Sequence, residues 1–187
     1  MTQALALPPG SLAALSTDES LYEISAGQRV ELPPMSAYEV FLASRLLVLL
    51  EPFTRTLGRV VTEMLFRLDP SGNLQRRPDV AFVSYQRWPA NRRIPRTNAW
   101  DVVPELVIEV ISPTNLAIEI VARVREYFQA GAQMIWVVYP TEAMIYVYES
   151  PTRIRVFQRG DEADAGSLLP GLRLPLADLF EAEGTVD

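Results

Sequence analysis

The alternation of apolar and polar residues near the start of the chain predicts a hairpin followed by a long helix. Residues 21–32, LYEISAGQRVEL, alternate on either side of an Ala-Gly pair that suits a tight turn. Beyond two prolines and Ser36, apolar residues recur at helical spacing. We expect this helix to bend near Pro52 and to end at Gly58, because proline and glycine disfavour helix continuation.

The rest of the chain has strand-like segments interrupted by one segment with helical spacing. Residues 58–69 and 76–84 are each predicted to form a strand, and the PSGN turn joins them as a hairpin. Residues 104–115, PELVIEVISPTN, contain a strand with branched apolar residues on both faces, which indicates burial on both sides. A helix is expected over 116–130, with Thr114 or Asn115 as its cap, Gly131 as its end and Ile120, Val124, Tyr127 and Phe128 facing inward. Three strands, over 133–139, 143–149 and 153–159, then precede an irregular apolar tail.

This order of elements predicts an α/β or α+β fold with a single layer of mixed sheet and helices packed on it. The 187 residues suit one domain spanning 1–187. No apolar run approaches the ~18 residues of a membrane span, and the first 20 residues lack the basic start of a secretory signal. We therefore expect a cytoplasmic protein without a membrane partner.

The composition excludes several kinds of chemistry. Cysteine and histidine are absent, which excludes disulfides, thiol nucleophiles, Ser-His-Asp triads and metal sites built on histidine. All 17 basic residues are arginine, so Schiff-base lysines and the lysine of a phosphate-binding loop are excluded too. Any metal would be a hard ion with oxygen ligands, such as Mg²⁺ or Mn²⁺. The net charge of −6 argues against non-specific coating of nucleic acid.

Two acids interrupt the predicted buried strands. Asp79 lies in RRPDVAFV and Glu109 in PELVIEVI, where the pattern calls for apolar residues. If these strands pair, the two carboxylates converge, and a shared cation or proton is needed to offset their repulsion. A divalent metal ion would be such a shared cation. The alternatives are a local backbone hydrogen bond for Asp79 and an ion pair with an arginine for Glu109.

The segment 85–101, YQRWPANRRIPRTNAWD, has no periodicity and is predicted to be a long loop. Four arginines with interleaved aromatic residues suit contact with phosphates and stacking on bases, which makes candidate nucleic-acid contacts of Arg87, Trp88, Arg92, Arg93 and Arg96. A solvated or interface loop is the alternative, with Trp100 as an anchor for a partner subunit.

Several segments together resemble a known family. PDVAFVS, PELVIEVISPTN, AGAQMIWVVYP and LLPGLRLPLADLF are similar to the Uma-type restriction endonuclease family, a branch of the PD-(D/E)XK nuclease superfamily, over about residues 20–181. The resemblance implies a restriction-endonuclease-like core: a mixed central β-sheet flanked by helices, with an N-terminal β-hairpin and additional C-terminal strands. It also implies Mg²⁺-dependent cleavage of DNA, with Asp79 and Glu109 as metal ligands, and an acidic residue at the position of Glu23.

The sequence departs from the family pattern at four polar positions. The superfamily's catalytic lysine position holds Ile111, and in this branch the basic residue usually lies in the next helix, at the position of Arg123. Asn115 replaces an acid, Glu39 replaces a histidine and Tyr139 replaces an aspartate. Arginine keeps the charge and the phosphate contact of lysine but cannot act as a base.

Three of these acidic and basic residues have structural alternatives. Arg123 could form an i,i+4 ion pair with Glu119 instead of contacting a phosphate. Glu39 completes a Ser36-x-x-Glu39 capping box, which competes with a ligand role. Glu63, predicted to lie on a strand beside the site, is a further catalytic carboxylate and metal ligand, a solvated strand position or a partner of Arg67.

Two main hypotheses follow from the sequence. The first is a DNA endonuclease that uses Mg²⁺ or Mn²⁺ held by Asp79 and Glu109, with Glu63 and Arg123 beside them. The second is a catalytically impaired relative that acts as an oligomeric DNA-binding or structural module. Self-association as a dimer or higher oligomer is expected because the apolar strands after residue 133 exceed what one small core needs.

Overall fold

The computed structural model of the chain describes residues 20–180. Residues 1–19 and 181–187 lie outside the described part. The expectation that the chain has no secretory signal therefore falls almost entirely on residues that are not described. The first half of the described part contains β1 (Tyr22–Ser25), β2 (Gln28–Glu31), α1 (Ala37–Thr54), β3 (Gly58–Thr62), β4 (Phe66–Arg67), β5 (Gln75–Arg76) and β6 (Val80–Ser84). The second half contains β7 (Leu106–Val110), α2 (Ala117–Ala130), β8 (Met134–Tyr139), β9 (Met144–Ser150), β10 (Arg153–Phe157), β11 (Glu162–Ala163), β12 (Leu174–Pro175) and α3 (Leu176–Leu179).

A six-stranded mixed sheet forms the centre of the molecule. Its strand order is β10-β9-β8-β7-β6-β3, and the pairing of β7 with β8 is parallel while its other pairings are antiparallel. The parallel pair needs a crossover, which α2 supplies. The mixed sheet with flanking helices that the sequence predicted is confirmed.

The sheet separates two apolar cores. On β7, Leu106, Ile108 and Val110 enter the core that contains α1 and the C-terminal segment, whereas Val107 enters the core beneath α2. Because side chains alternate along a strand, Glu109 shares the face of Val107. The carboxylate of Glu109 therefore points toward α2.

A second, smaller sheet departs from the single layer that the sequence predicted. The strand expected over 58–69 divides into β3 and β4 on either side of Glu63, whose φ of 53° lies in the left-handed region. β4 then pairs with β5 across the predicted turn, and both join the N-terminal hairpin in the order β2-β1-β5-β4. The chain returns to the main sheet just after Asp79, which therefore precedes β6 instead of lying inside a strand.

The first helix begins as predicted but ends earlier. Ser36 Oγ accepts from the Glu39 N–H at 3.3 Å and the Glu39 carboxylate accepts from the Ser36 N–H at 2.7 Å, so the capping box is confirmed. The helix ends at Thr54, and Gly58 begins β3. A Cβ at Gly58 would lie 2.3 Å from the Val83 carbonyl oxygen, so this glycine is required by close strand approach, not by the helix end.

The second helix ends as predicted but lacks the predicted cap. Gly131 follows it with a φ of 108°, a conformation that glycine tolerates best. Neither Thr114 nor Asn115 caps the helix, because both side chains bind Ser112: Asn115 Oδ1 accepts from the Ser112 N–H at 2.8 Å.

Within residues 20–180, no helix combines the length and the apolar composition that crossing a membrane requires.

Candidate active site

The carboxylates of Asp79 and Glu109 lie side by side at one end of the central strands. β6 and β7 pair antiparallel with Val80 opposite Ile108, and one further step along this register brings position 79 opposite position 109. Asp79 Oδ2 accepts a hydrogen bond from the Val110 N–H at 2.5 Å. The structure thus brings together the two acids whose convergence the sequence predicted.

Glu109 has an arginine and a tyrosine as hydrogen-bond donors. Its Oε1 accepts from the Tyr127 hydroxyl at 2.7 Å and from Arg123 Nη1 at 3.3 Å, and its side chain is only 10% exposed. Arg123 and Tyr127 lie four residues apart on α2, so both reach the same carboxylate. Glu119 does not pair with Arg123, because its carboxylate accepts from the Leu116 N–H at 3.4 Å. The i,i+4 alternative for Arg123 is therefore wrong.

Glu23 of the N-terminal hairpin is a central member of the site, whereas the family resemblance implied only that this position is acidic. Arg123 Nη1 lies 2.7 Å from Glu23 Oε1, and the Arg77 N–H donates to the same oxygen at 2.8 Å. Arg76 Nη1 donates to Glu23 Oε2 at 3.0 Å. The carboxylate is 2% exposed, so these donors replace the water that it would otherwise bind. The family resemblance, which implied an acid at position 23, was the signal in the sequence that could have identified Glu23 as a site residue.

The side chains form one continuous network of alternating charge. It runs from Glu126 to Arg76, to Glu23, to Arg123 and to Glu109, through contacts of 2.7, 3.0, 2.7 and 3.3 Å. Buried charges of this kind are tolerated only when each has a partner. The N-terminal hairpin, through Glu23, and β7, through Glu109, therefore hold Arg123 of α2 from two sides.

Both facing carboxylates have raised pKa values, chiefly because they are buried. Burial and the charge of Glu109 raise the pKa of Asp79 to about 8, against the opposing effect of the Val110 N–H. Burial raises the pKa of Glu109 as well, and Arg123 opposes this shift. Within residues 20–180, Asp79 accepts no side-chain hydrogen bond from an arginine. Asp79 therefore favours a proton or a further cation near neutral pH.

The raised pKa of Asp79 should make the stability of the protein depend on pH. A chelator in the buffer keeps metal ions away from the carboxylates during this measurement. Because the pKa of Asp79 is about 8 in the folded state and about 3.9 in the unfolded state, the folded state retains a proton that the unfolded state has lost between these values. Stability should thus fall as pH rises from 5 to 8, by up to about 1.4 kcal/mol per unit. Denaturant unfolding of the wild type and Asp79→Asn checks this.

The variant should have a flatter profile than the wild type, while Asp101→Asn, which changes an exposed carboxylate, should retain the wild-type slope. Parallel profiles for the wild type and Asp79→Asn would show that Asp79 is not the titrating group.

Glu63 lies beside the pair but not on the predicted strand. Burial raises its pKa, the Arg77 guanidinium opposes this shift, and the charge of Glu63 in turn raises the pKa of Asp79. Arg77 donates to the Glu63 carbonyl oxygen, and Arg67 lies 4.0 Å from Asp101 instead of pairing with Glu63. Among residues 20–180, no three acidic side chains are close enough to hold a metal ion by themselves.

The long loop is packed against the fold at its first residues. Arg87 Nε lies 3.1 Å from the buried Glu105 carboxylate, and the Arg87 guanidinium also donates to the Val103 and Gly131 carbonyls at 2.7 Å. Trp88 is 5% exposed, with Trp100 packed edge-on at 5.4 Å between ring centroids. The Arg92 guanidinium covers the Trp88 ring at 3.6 Å.

This packing changes which loop residues can meet a nucleic acid. The structure does not leave a face of Trp88 open for a base, and Arg87 is held by its partners within the fold. Trp100 is 1% exposed, so it packs in the core of its own chain and not on the surface as a partner's anchor. Arg92, Arg93 and Arg96 are exposed, and their contact with DNA stays a prediction.

Comparisons with known proteins agree with the resemblance found in the sequence. The sequence model of the Uma2 family, described as a putative restriction endonuclease, matches residues 5–177. The fold is similar to the crystal structure of a putative nuclease of DUF820 from Anabaena variabilis, with a TM-score of 0.72 and 22% sequence identity. That match covers 85% of this chain and 89% of the other. No curated protein sequence matches the chain.

Proposed function

Because the chain belongs to the Uma2 family, we propose that it is a metal-dependent endonuclease that hydrolyses phosphodiester bonds of DNA. The family and the nuclease fold are established by the comparisons. The metal, the substrate and the residue roles form the proposal. They depend on the facing carboxylates of Asp79 and Glu109.

The observation that carries the proposal is the pair of facing carboxylates. Asp79 lies next to Glu109, and its charge lacks an arginine partner of its own within residues 20–180. Two adjacent carboxylates on neighbouring strands provide oxygen ligands of the kind that Mg²⁺ and Mn²⁺ prefer. A divalent ion would offset the charge of Glu109, which together with burial raises the pKa of Asp79, so the residues fit a metal.

A bound ion would polarise the phosphate and activate the attacking water. Since the described residues offer two facing carboxylates and no cluster of three, water and substrate oxygens would complete the coordination. Glu63 stands beside the pair, and its raised pKa makes it a stronger proton acceptor for the attacking water than an ordinary carboxylate.

Arg123 would hold the phosphate in place of the usual lysine. Its Nη1 binds Glu23 and Glu109, while within residues 20–180 its Nε and Nη2 make no hydrogen bond. The side chain is 30% exposed, so these donors can reach a ligand at the surface. Burial lowers the pKa of Arg123, but the charges of Glu109, Tyr127 and Glu23 outweigh this effect and raise it, so Arg123 stays charged. It can neutralise the phosphate but cannot remove a proton.

Cleavage of plasmid and oligonucleotide DNA tests the proposal directly. We expect turnover with Mg²⁺ or Mn²⁺, complete loss with excess chelator, and rates that rise between pH 6 and pH 8, because metal binding requires Asp79 to lose its proton. Mn²⁺ should also raise the melting temperature of the wild type. Absence of turnover from pH 6 to pH 9 with either ion would refute the endonuclease.

A second function, a DNA-binding or structural module without catalysis, is favoured by the ion pair of Glu109. Arg123 and Tyr127 already satisfy this carboxylate, and Ile111 occupies the superfamily's lysine position. Such a protein would bind DNA without cleaving it, and metal ions would leave its melting temperature unchanged. The same two measurements therefore separate the two functions. Self-association also stays a prediction.

A further inference from the structure

A basic cleft lies between the N-terminal hairpin and the long loop. Its volume is about 300 Å³, and it is lined by Ser20, Leu21, Tyr22, Arg29, Arg77 and Asn98. These residues come from the start of the described chain, from both hairpin strands, from the segment before β6 and from the end of the loop. The folded chain therefore joins distant segments into one concave surface.

The cleft carries positive charge and has no acid in its lining. Arg29 and Arg77 are the two charged residues that line it, although the protein as a whole has a net charge of −6. The Arg29 guanidinium lies 3.8 Å from the centre of the Tyr22 ring and donates to the Ser20 carbonyl oxygen at 3.2 Å. These contacts hold the guanidinium at the cleft without neutralising it.

A polar group in the lining also lacks a partner. The Ser20 hydroxyl is buried and makes no hydrogen bond within residues 20–180. A buried hydroxyl without a partner costs free energy, and a ligand oxygen in the cleft could accept its proton. Two guanidinium groups, a hydroxyl and the amide of Asn98 are donors of the kind that bind phosphate.

Arg77 connects this cleft to the candidate active site. Its backbone N–H donates to Glu23 at 2.8 Å, and its guanidinium donates to the carbonyl oxygen of Glu63. It also precedes Asp79 by two residues. The cleft is therefore next to the carboxylates, so one nucleic-acid strand could occupy both.

We propose that this cleft binds a backbone phosphate of the DNA strand, close to the phosphate that is hydrolysed. The inference rests on the proposed endonuclease function and adds a substrate subsite that includes Arg29, Asn98 and Ser20. Arg29 contributes charge and Asn98 contributes a hydrogen bond. Arg77 forms the inner wall and also supports Glu63.

Arg29→Gln tests the subsite because Arg29 is exposed and does not contact the carboxylates. We would titrate labelled oligonucleotides with the full chain by fluorescence anisotropy in EDTA at several salt concentrations. The variant should bind roughly tenfold more weakly, and the slope of log Kd against log salt should decrease by about one, as expected for the loss of one phosphate contact. In cleavage assays KM should rise by a similar factor while kcat stays within about twofold.

Arg29→Lys should restore most of the affinity, because it keeps the charge. Arg153→Gln, which changes a highly exposed arginine on the edge strand β10, is the matched control and should bind DNA like the wild type. Thermal melts of each variant confirm folding. An unchanged salt slope in Arg29→Gln, or a wild type that does not bind DNA, overturns the subsite.

Two further outcomes distinguish a failure of the subsite proposal from a failure of the endonuclease proposal. A wild type that binds but does not cleave, with a reduced salt slope in Arg29→Gln, supports the subsite and refutes the endonuclease. If inorganic phosphate raises the melting temperature through Arg29 while DNA binding does not depend on Arg29, the cleft binds free phosphate and the proposal of a DNA strand is overturned.

Discussion

Asp79→Asn should abolish metal-dependent DNA cleavage while leaving a folded protein. Asparagine has nearly the same shape and can still accept the hydrogen bond from the Val110 N–H, but it removes one of the two charges that would hold the metal. Since loss of outer-shell partners of metal ligands already costs 10–100-fold, we expect the loss of a ligand to reduce the cleavage rate by roughly a thousandfold or more. Initial rates with Mn²⁺ measure this.

The structure provides a matched control for this substitution. Asp101→Asn changes a carboxylate that is 72% exposed, and it should keep the wild-type rate. Asp79→Asn should melt at or above the wild-type temperature in EDTA at pH 8, because the substitution removes a buried charge. Undiminished cleavage in the variant would exclude Asp79 from the active site, and a rate lost together with the fold would contradict the expected stability.

Arg123→Ala should produce the largest loss of stability among single substitutions in the charge network. It would leave the carboxylates of Glu23 and Glu109 buried without the guanidinium that both contact, at 2.7 and 3.3 Å. Breaking a buried ion pair by removing one partner typically costs about 3–5 kcal/mol. The loss should shrink as pH falls toward 4, because protonation of Glu109, whose pKa burial raises, removes one of the unpaired charges.

The replacement of Arg123 by lysine separates charge from geometry. Arg123→Lys keeps one positive charge near Glu109, so we expect a smaller loss of stability and retained cleavage. Arg125→Ala, an exposed arginine two residues further along α2, is the control and should change stability by no more than about 0.5 kcal/mol. Chemical denaturation at pH 4 and pH 8 tests these expectations. An equal effect of Arg123→Ala and Arg125→Ala would show that the network does not depend on Arg123.

Local patterns were sufficient to predict most elements of the fold. The hairpin, the starts of both long helices to within a residue, the buried strand around Glu109 and the strands after residue 133 agree with the structure. Periodicity identifies such elements because each one buries a single face. The errors occur where tertiary contacts override local preference. Gly58 is needed for strand approach, and Asn115 is occupied by Ser112.

Only some residues of the candidate site could be predicted from the sequence. Asp79 and Glu109 were conspicuous because each interrupts an apolar pattern, and Arg123 came from the family resemblance. Glu23 and Tyr127 were not singled out as site residues. Glu23 lies in a hairpin far away in the chain, and the apolar ring of Tyr127 suits a helix core without indicating its hydroxyl contact. The spacing of four residues between Arg123 and Tyr127 was a usable signal.

The sequence by itself determined the family, the order of elements and the two acids in the central strands, because these depend on residue type and local spacing. Only the tertiary structure decided which cation Glu109 meets in the folded chain and which residues line the basic cleft. Both depend on the N-terminal hairpin, which packs beside α2 and brings Glu23 to Arg123 across 100 residues of sequence. Contacts between such distant segments leave no periodic pattern in the sequence, so only the tertiary structure shows them.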